Sequence, residues 1–422
     1  MRDILNHISG WTEPFALATV VETWSSSPRQ PGAAMAVNSA GEVVGSVSGG
    51  CVEADLYARC EAVLATGEPD LTRYGVSDGD AFAVGMTCGG TLDVFIQRVD
   101  PKDDRLARLA DRVQAHLPAA VATVIEGPGV GAQILVLGDQ PHGTTGDHRL
   151  DDAIAAQVVG LLEHGANRTI RLGAHGEARL EDVAVFVESF APPARMLIFG
   201  AIDFSAALAR TGKFLGYHVT VCDARAVFAT RARFPEVDEV VVAWPHDYLA
   251  SVAVDERTAI CVLTHDPKFD VPLIQEALRS RAGYIGVMGS RRTHADRMTK
   301  LRELGIADAE LARLSSPIGL DLGARTPEET AVSITAEIIA QRWGGTGRRL
   351  VALETPIHHD SPGLSGMGLD GDHDAQRQDS GSRGGDTDAR RSPRRDIRAT
   401  DTTFDNNRAL FARVYVNSGR SA

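Results

Sequence analysis

One segment of the sequence joins a glycine pair to a cysteine, a combination that suits close contact with a bound ligand. It reads Ser46-Val47-Ser48-Gly49-Gly50-Cys51-Val52-Glu53. Glycines let the backbone approach a ligand closely, and a thiol at a helix N-terminus ionises more readily in the field of the helix dipole. A thiolate is a soft metal ligand and a sulfur nucleophile. The segment predicts ligand binding by Ser48, Gly49, Gly50 and Cys51, with Cys51 as a candidate metal ligand. The alternative is a tight turn with a buried cysteine.

A second cysteine, Cys88, stands beside Gly89 and Gly90, just before the predicted strand Thr91–Val99. Two loops of this kind suggest that both face a common pocket, although two unrelated turns would produce the same pattern. We interpret Cys88 as the second candidate metal ligand and the two glycines as ligand-binding residues. The remaining cysteines fall on a predicted apolar helix face or within predicted strands, and we interpret them as core residues: Cys60, Cys222 and Cys261.

Several polar turns predict anion binding. Arg29 lies in the polar segment Ser25–Gly32, where it could hold a phosphate, although an exposed arginine in a polar loop is the simpler interpretation. In the second half of the chain, turns that follow predicted strands supply further candidates, because ligands bind at the carboxyl ends of parallel strands. These candidates are His265, Asp266, Gly289, Ser290, Arg291, Arg292 and Asp321. Ser290 is predicted to cap the next helix, with the arginines facing a phosphate.

The turn that begins at Gly200 resembles only part of a dinucleotide-binding fingerprint. Gly200 matches the first glycine, and Asp223 ends a predicted strand where a ribose-binding acid belongs. Ile202 occupies the place of the second glycine, and Asp203 adds a negative charge beside the expected pyrophosphate. The pattern therefore indicates a nucleotide-type fold and gives only partial support to NAD(P) binding.

Strands that alternate with helices predict an α/β protein whose second half contains a parallel sheet. Pro192 and Pro193 mark a boundary, which gives an N-terminal domain over 1–190 and a Rossmann-like domain over 194–345. Residues 346–422 form a low-complexity tail that we expect to be largely disordered, since it is poor in apolar residues beyond about residue 360. No repeat of fixed period is apparent. Thr326, Pro327 and Glu329 predict the start of a capped helix.

Composition excludes several classes of protein. The chain of 422 residues has a formal net charge of -13, which disfavours nucleic-acid binding. It has no apolar run long enough for a membrane helix and no signal-peptide core, so we expect a cytoplasmic protein. Its five cysteines show no C-x-x-C spacing. They supply no iron-sulfur clusters.

These motifs together resemble the XdhC/CoxI family, the accessory proteins of xanthine dehydrogenase and carbon-monoxide dehydrogenase. The resemblance extends from the N-terminus to about residue 345 and rests on seven stretches: Ser27–Gly32, Gly45–Glu53, Cys88–Gly90, Leu263–Asp266, Tyr284–Arg292, Pro317–Gly323 and Thr326–Glu329. It implies an XdhC/CoxI-type N-terminal domain and a Rossmann-like C-terminal domain. In the family, the first turn of the second domain usually reads Gly-Ala-Gly-His. Gly200 and Ala201 match this turn, whereas Ile202 and Asp203 depart from it.

The resemblance further implies a chaperone that binds the molybdenum cofactor (molybdopterin), supports its sulfuration and inserts it into a xanthine dehydrogenase-type enzyme. It implies a homodimer, a cysteine desulfurase as a further partner, and no catalytic activity of its own. Two alternatives remain open: an NAD(P)-dependent oxidoreductase, and a scaffold that docks the dehydrogenase without a cofactor. The main hypothesis requires glycine-containing turns from both halves to face one shared cleft.

Overall fold

The computed structural model describes residues 1–24, 27, 29–75, 90–264, 266–354 and 357. These residues form two antiparallel sheets and one parallel sheet, which confirms the predicted α/β class with a Rossmann-like domain. The tail predicted to be disordered beyond about residue 360 lies outside the described residues. None of the described helices is long and apolar enough to cross a membrane.

The first sheet follows a short helix, α1 (Leu5–Ile8), and carries one covering helix. Its elements are β1 (Phe15–Trp24), β2 (Ala34–Asn38), β3 (Val43–Gly45), α2 (Glu53–Thr66), β4 (Asp70–Tyr74) and β5 (Thr91–Val99). The strands lie in the order β3-β2-β1-β5-β4, and all neighbours are antiparallel. Gly67 ends α2 in the left-handed conformation, with φ of 78°, which glycine adopts without strain.

The second sheet repeats the topology of the first. After α3 (Asp104–Gln114), its elements are β6 (Ala119–Glu126), β7 (Gln133–Leu137), β8 (Gln140–His142), α4 (His148–His164), β9 (Arg168–Leu172) and β10 (Val183–Phe190). The order β8-β7-β6-β10-β9 matches that of the first sheet, strand for strand. The N-terminal region therefore contains two copies of a β-β-β-α-β-β unit, although the sequence shows no repeat of fixed period. A strand needs only the right alternation of side chains between its two faces, and many residue types satisfy this requirement. Two copies of the unit can therefore share a topology without sharing a recognisable sequence.

The two antiparallel sheets pack face to face between α2 and α4. Ala16 and Val20 of β1 belong to the core beneath Leu56 of α2, whereas Leu17 packs in a different core with Phe190 of β10. Successive side chains of a strand point to opposite faces, so β1 is buried on both. The layers are accordingly α2, first sheet, second sheet and α4.

The parallel sheet begins after Pro192 and Pro193. Its elements are β11 (Arg195–Phe199), α5 (Asp203–Phe214), β12 (His218–Asp223), β13 (Glu239–Val242), α6 (Pro245–Ser251), β14 (Ala259–Val262), α7 (Pro267–Arg279), β15 (Tyr284–Val287), α8 (Arg291–Glu303), α9 (Asp308–Leu311), β16 (Leu314–Ser315) and α10 (Pro327–Trp343). The strands lie in the order β13-β12-β11-β14-β15-β16, which is the order of a doubly wound nucleotide-binding sheet. Helices α5 and α10 cover one face, and α6 to α8 cover the other.

The predicted strand Thr91–Val99 is confirmed as β5. Strands β2, β4, β8, β9 and β16 were not predicted from the sequence, and α4 begins at His148 because Asp147 is its N-cap. Edge strands such as β4 are only half-buried, so their apolar pattern is diluted. The capping box of α10 at Thr326 and Glu329 is confirmed. The division into domains over 1–190 and 194–345 stays a prediction.

Candidate functional site

The carboxylate of Glu53 occupies the centre of the loop formed by Ser46–Val52. Backbone N–H groups of Val47, Ser48, Gly49, Gly50 and Val52 donate to its two oxygens over 2.8–3.2 Å. The hydroxyls of Ser46 and Ser48 add bonds of 2.6 and 2.5 Å. Consecutive N–H groups that converge in this way form an anion-binding concavity. In this structure the anion is the protein's own side chain.

These hydrogen bonds hold Glu53 in its ionised form. Partial burial would raise the pKa of the carboxyl, but the bonds from the two serine hydroxyls and the backbone outweigh it and lower the pKa to about 2. The predicted ligand-binding residues Ser48, Gly49 and Gly50 therefore already have an internal acceptor. The glycine motif predicted contact with a bound ligand, and the sequence analysis did not recognise that Glu53, which lies within the motif, accepts these N–H groups.

Cys51 is exposed, directly before Val52, the N-cap residue of α2. Its backbone N–H donates to the Ser48 hydroxyl at 2.9 Å, which ties its position to the loop that Glu53 fills. By contrast, Cys60, Cys222 and Cys261 are buried, as predicted, and burial raises the pKa of the Cys60 thiol to about 12. Burial raises the pKa of the other two thiols as well. Among the described cysteines, Cys51 is thus the one accessible to a ligand.

The second predicted cysteine loop falls on residues that the structure does not describe. Cys88 and Gly89 lie outside the described residues, and Gly90 is buried at the entrance to β5. Within the described ranges, no group of three or more His, Cys, Asp or Glu residues is arranged to hold a metal ion. The metal role of Cys51 and Cys88 therefore stays a prediction.

At the carboxyl edge of the parallel sheet, Asp223 is engaged with its own surroundings. Its carboxylate accepts the Ala201 N–H at 2.8 Å and is chelated by Arg225 through Nε at 2.9 Å and Nη2 at 2.8 Å. Burial would raise the pKa of this carboxyl, but the bonds from Arg225 and the backbone lower it. Gly200, with φ of 108°, packs closely on Thr264 of the next turn. The carboxylate expected to meet a ribose is thus held by internal donors.

The neighbouring turns contain a buried ion pair that the sequence analysis missed. Arg297 of α8 contacts Asp270 of α7 at 3.0 Å, and both side chains are 4% exposed. Arg297 also donates to the Met288 carbonyl, and the Thr264 hydroxyl donates to Asp270. A buried charge of this kind has no local signature, because Asp270 and Arg297 look like ordinary polar positions of two amphipathic helices.

The remaining predicted residues of this edge are placed as follows. Ser290 caps α8 by accepting the Thr293 N–H at 3.1 Å, as predicted. Asp266 caps α7 by accepting the Lys268 N–H. His265 lies outside the described residues. Gly289 precedes the cap, with φ of 153°, and three residues are exposed: Arg291, Arg292 and Asp321.

A cavity of about 540 Å³ lies between the antiparallel sheets and the parallel sheet. Among the predicted ligand-binding residues, Arg29 lines it, whereas the Ser48–Cys51 loop and Ser290 do not. The hypothesis of one cleft uniting both sets of turns gains no support from this cavity and stays a prediction. Several charged residues of the cavity were not predicted from the sequence. They come from distant parts of the chain, so no local motif contains them together.

Comparison with known proteins gives two family matches. The XdhC Rossmann domain model matches residues 196–338. The XdhC and CoxI family model matches residues 12–75 and 112–173. The latter two segments cover β1–β4 and β6–β9, which are equivalent stretches of the two repeated units. Together the matches cover more than half of the chain.

Two curated relatives and one solved structure resemble most of the chain. A Bacillus subtilis protein, named as a probable subunit of xanthine dehydrogenase, is 29% identical over 78% of this chain and 94% of its own length. The Escherichia coli "Molybdenum cofactor insertion chaperone PaoD" is 26% identical over 77% of this chain and 83% of its own. A crystal structure described as a xanthine dehydrogenase from Bacillus halodurans has a TM-score of 0.60 at 24% identity, covering 83% of this chain and 97% of that one. This last similarity concerns the fold alone.

Proposed function

Because this chain belongs to the XdhC and CoxI family, we propose that it is a maturation factor that binds the molybdenum cofactor and delivers it to a xanthine dehydrogenase-type or carbon-monoxide dehydrogenase-type enzyme. The observation that carries the proposal is its similarity to a molybdenum cofactor insertion chaperone across 83% of that relative. The cofactor is cargo in this scheme and is released to the client enzyme.

The exposed thiol of Cys51 supports a direct role in handling the cofactor. Sulfur is a soft donor that suits molybdenum, and a thiol can also carry sulfur as a persulfide. The loop around Cys51 is rigidly braced by Glu53, so the thiol is presented from a defined backbone position. Cys88 is the second candidate for either role. We propose that at least one of these two cysteines contacts the cofactor.

The phosphate of the cofactor requires donors other than the Ser48–Gly50 backbone, because Glu53 already uses those N–H groups. Arginines suit this purpose, since the guanidinium fork matches phosphate oxygens. The candidates from the predicted set are Arg29 at the cavity wall and Arg291 and Arg292 in the first turn of α8. We propose Arg29 first, because it alone of the three lines the described cavity.

Analysis of the cofactor that co-purifies with the protein tests the proposal. The intact chain is purified from cells that make molybdopterin, and its molybdenum and pterin contents are measured with its ability to activate the apo-enzyme. We expect both contents to approach one per chain. A Cys51→Ser or Cys88→Ser variant should lose cofactor or activation, whereas Cys60→Ala, a buried-cysteine control, should retain both.

Two outcomes would redirect the proposal. Full binding and full activation by a protein carrying both serine substitutions would exclude the thiol role. Activation of the client without any co-purified molybdenum or pterin would favour the scaffold function. Assembly as a homodimer and sulfur supply by a cysteine desulfurase are further parts of the proposal, and they rest on the family resemblance. Action in the cytoplasm stays the expectation drawn from the sequence.

A further inference from the structure

The cavity between the two halves lies at the amino-terminal edge of the parallel sheet. Its wall includes Leu215–Tyr217, just before β12, and Arg257, just before β14. The linker Ala191–Ala194 and the loop Arg29–Ala33 form other parts of the wall. Nucleotides bind at the opposite, carboxyl edge of such a sheet. The cavity is therefore separate from the crevice at Gly200 and Asp223.

Positive charge accumulates around this cavity. Its charged lining residues are the arginines Arg2, Arg29, Arg257 and Arg342 and the acids Asp3 and Glu188. The arginines exceed the carboxylates by two, in a chain whose formal net charge is -13. They come from both ends of the described chain and from its middle, so the packing of separate elements has brought them together.

Contacts with the linker fix the orientation of two of these arginines. Arg2 Nη2 donates to the Ala191 carbonyl at 2.8 Å, and Arg257 Nη2 donates to the Pro192 carbonyl at 2.8 Å. Carbonyl oxygens orient a guanidinium without neutralising its charge, and each guanidinium has five N–H donors. Arg257 also lies 3.6 Å from Asp255 Oδ2, although its buried Nε makes no hydrogen bond.

The two acids of the lining already have cations beside them. Asp3 accepts Arg29 Nη2 at 2.9 Å, and Glu188 lies 2.8 Å from the Met1 amino group. Burial lowers the pKa of Arg2, and the charge of Arg257 lowers it further against the opposing effect of Glu188. Arg2 and Arg257 thus repel each other across a partly desolvated space, and a bound anion would relieve that repulsion.

We propose that this cavity binds a small molecule carrying a phosphate monoester. The excess of two arginines matches the charge of about -2 that a monoester has near neutral pH. Guanidinium groups bind phosphate oxygens bidentately, and the volume falls within the range of small-molecule sites. The phosphate can belong to the pterin cofactor or to a free metabolite. For the pterin source the inference rests on the proposed function, which already assigns Arg29 to the cofactor phosphate, and for a free metabolite it goes beyond that function.

Calorimetric titration of the intact protein tests the site. Glycerol phosphate and inorganic phosphate are the probes, with glycerol and succinate as controls at constant ionic strength. We expect saturable binding of both phosphates and none of the controls. Arg29→Gln and Arg342→Gln, which change two lining side chains from distant parts of the chain, should each weaken binding about ten-fold. The matched control is Arg281→Gln, an exposed arginine outside the lining that pairs with Glu256 at 3.0 Å; it should bind normally.

The result can overturn the proposal in three ways. Absence of saturable phosphate binding would exclude the site, and so would unchanged affinity in the two cavity variants that fold normally by circular dichroism. Equal binding of succinate would exclude a phosphate site. The Arg29→Gln/Arg342→Gln double variant, purified from molybdopterin-producing cells, separates the two phosphate sources. Loss of pterin together with phosphate affinity supports the cofactor, and unchanged pterin with lost phosphate affinity supports a free phosphate monoester.

Discussion

At the scale of single residues, the Glu53 carboxylate accepts the N–H groups of the glycine motif that were expected to bind a ligand. The motif has the N–H donors of an anion site, and Glu53 supplies the anion from within the chain. The second repeated unit has a related arrangement, in which Asp151 accepts the hydroxyls of Thr144 and Thr145 at 2.6 and 2.7 Å. A carboxylate clamp at the strand-to-helix loop is therefore common to both units, whereas a cysteine stands beside it only in the first.

We predict that Glu53→Gln destabilises the protein in a pH-dependent way. The folded pKa of about 2 lies below the ordinary value of 4.5. The carboxylate therefore contributes stability that is complete above pH 4.5 and is lost as the pH falls towards 2. Because Glu53 is partly exposed, solvent screening reduces the contribution to about 1–2 kcal/mol at neutral pH. Urea unfolding should show the gap between wild type and variant closing through this window.

Asp151→Asn is the matched control for Glu53→Gln. Both variants should lose stability, but only Glu53→Gln should change the rate at which Cys51 reacts with a thiol reagent, because only that clamp holds the Cys51 loop. An unfolding free energy for Glu53→Gln that equals wild type at every pH would contradict the assigned role.

Thiol labelling of the native protein should discriminate among the cysteines. We expect iodoacetamide to modify Cys51 and to spare Cys60, Cys222 and Cys261, since burial removes these three from solvent and raises their pKa. Peptide mapping by mass spectrometry measures the modified fraction at each site, and labelling after denaturation is the control. Rapid labelling of Cys261 in the folded protein would contradict the structure.

At the scale of elements, the Asp270–Arg297 pair joins α7 to α8 beneath the carboxyl edge of the sheet. Its two side chains are almost fully buried, and Arg297 also reaches the Met288 carbonyl at 3.1 Å, at the end of β15. The pair therefore fixes where the turn before Ser290 lies. A surface ion pair such as Arg281–Glu256 has no comparable function, because solvent screens it.

Asp270→Asn should cost about 3–5 kcal/mol of unfolding free energy, because Arg297 then stays buried without its counter-ion. Adding Arg297→Met should cost less than the sum of the single changes, since the unpaired charge is removed. Chemical denaturation of the four proteins measures this coupling. Arg281→Gln, the surface control, should change the free energy by less than about 1 kcal/mol. Strict additivity of the two buried substitutions would show that the pair is not coupled.

At the scale of the whole molecule, a duplicated antiparallel region is joined to a parallel sheet with nucleotide-fold topology. That topology creates a crevice at its carboxyl edge, where β11 and β14 lie side by side. In this crevice the Asp223 carboxylate already accepts hydrogen bonds from the Arg225 guanidinium and the Ala201 N–H. Topology alone is therefore insufficient to assign a dinucleotide cofactor.

We expect no saturable NADH binding in a fluorescence titration of the intact protein. A ribose would have to displace Arg225 from Asp223, and the Ile202 side chain stands where a glycine would admit pyrophosphate. An Arg225→Gln variant serves as the comparison, since it frees Asp223 from its chelating partner. Saturable binding by the wild-type protein that Asp223→Ala abolishes would revive the oxidoreductase alternative.

The sequence by itself determined the α/β class, the strand Thr91–Val99, the caps of α8 and α10, and the burial of Cys60, Cys222 and Cys261. These features follow from apolar periodicity and turn chemistry, which act over a few residues. Only the tertiary structure decided that Glu53 completes the glycine loop, that the first two sheets are copies, and that Arg2, Arg29, Arg257 and Arg342 surround one cavity. Those relations depend on how separate layers pack, and packing brings together residues whose neighbours in the chain carry no record of the contact.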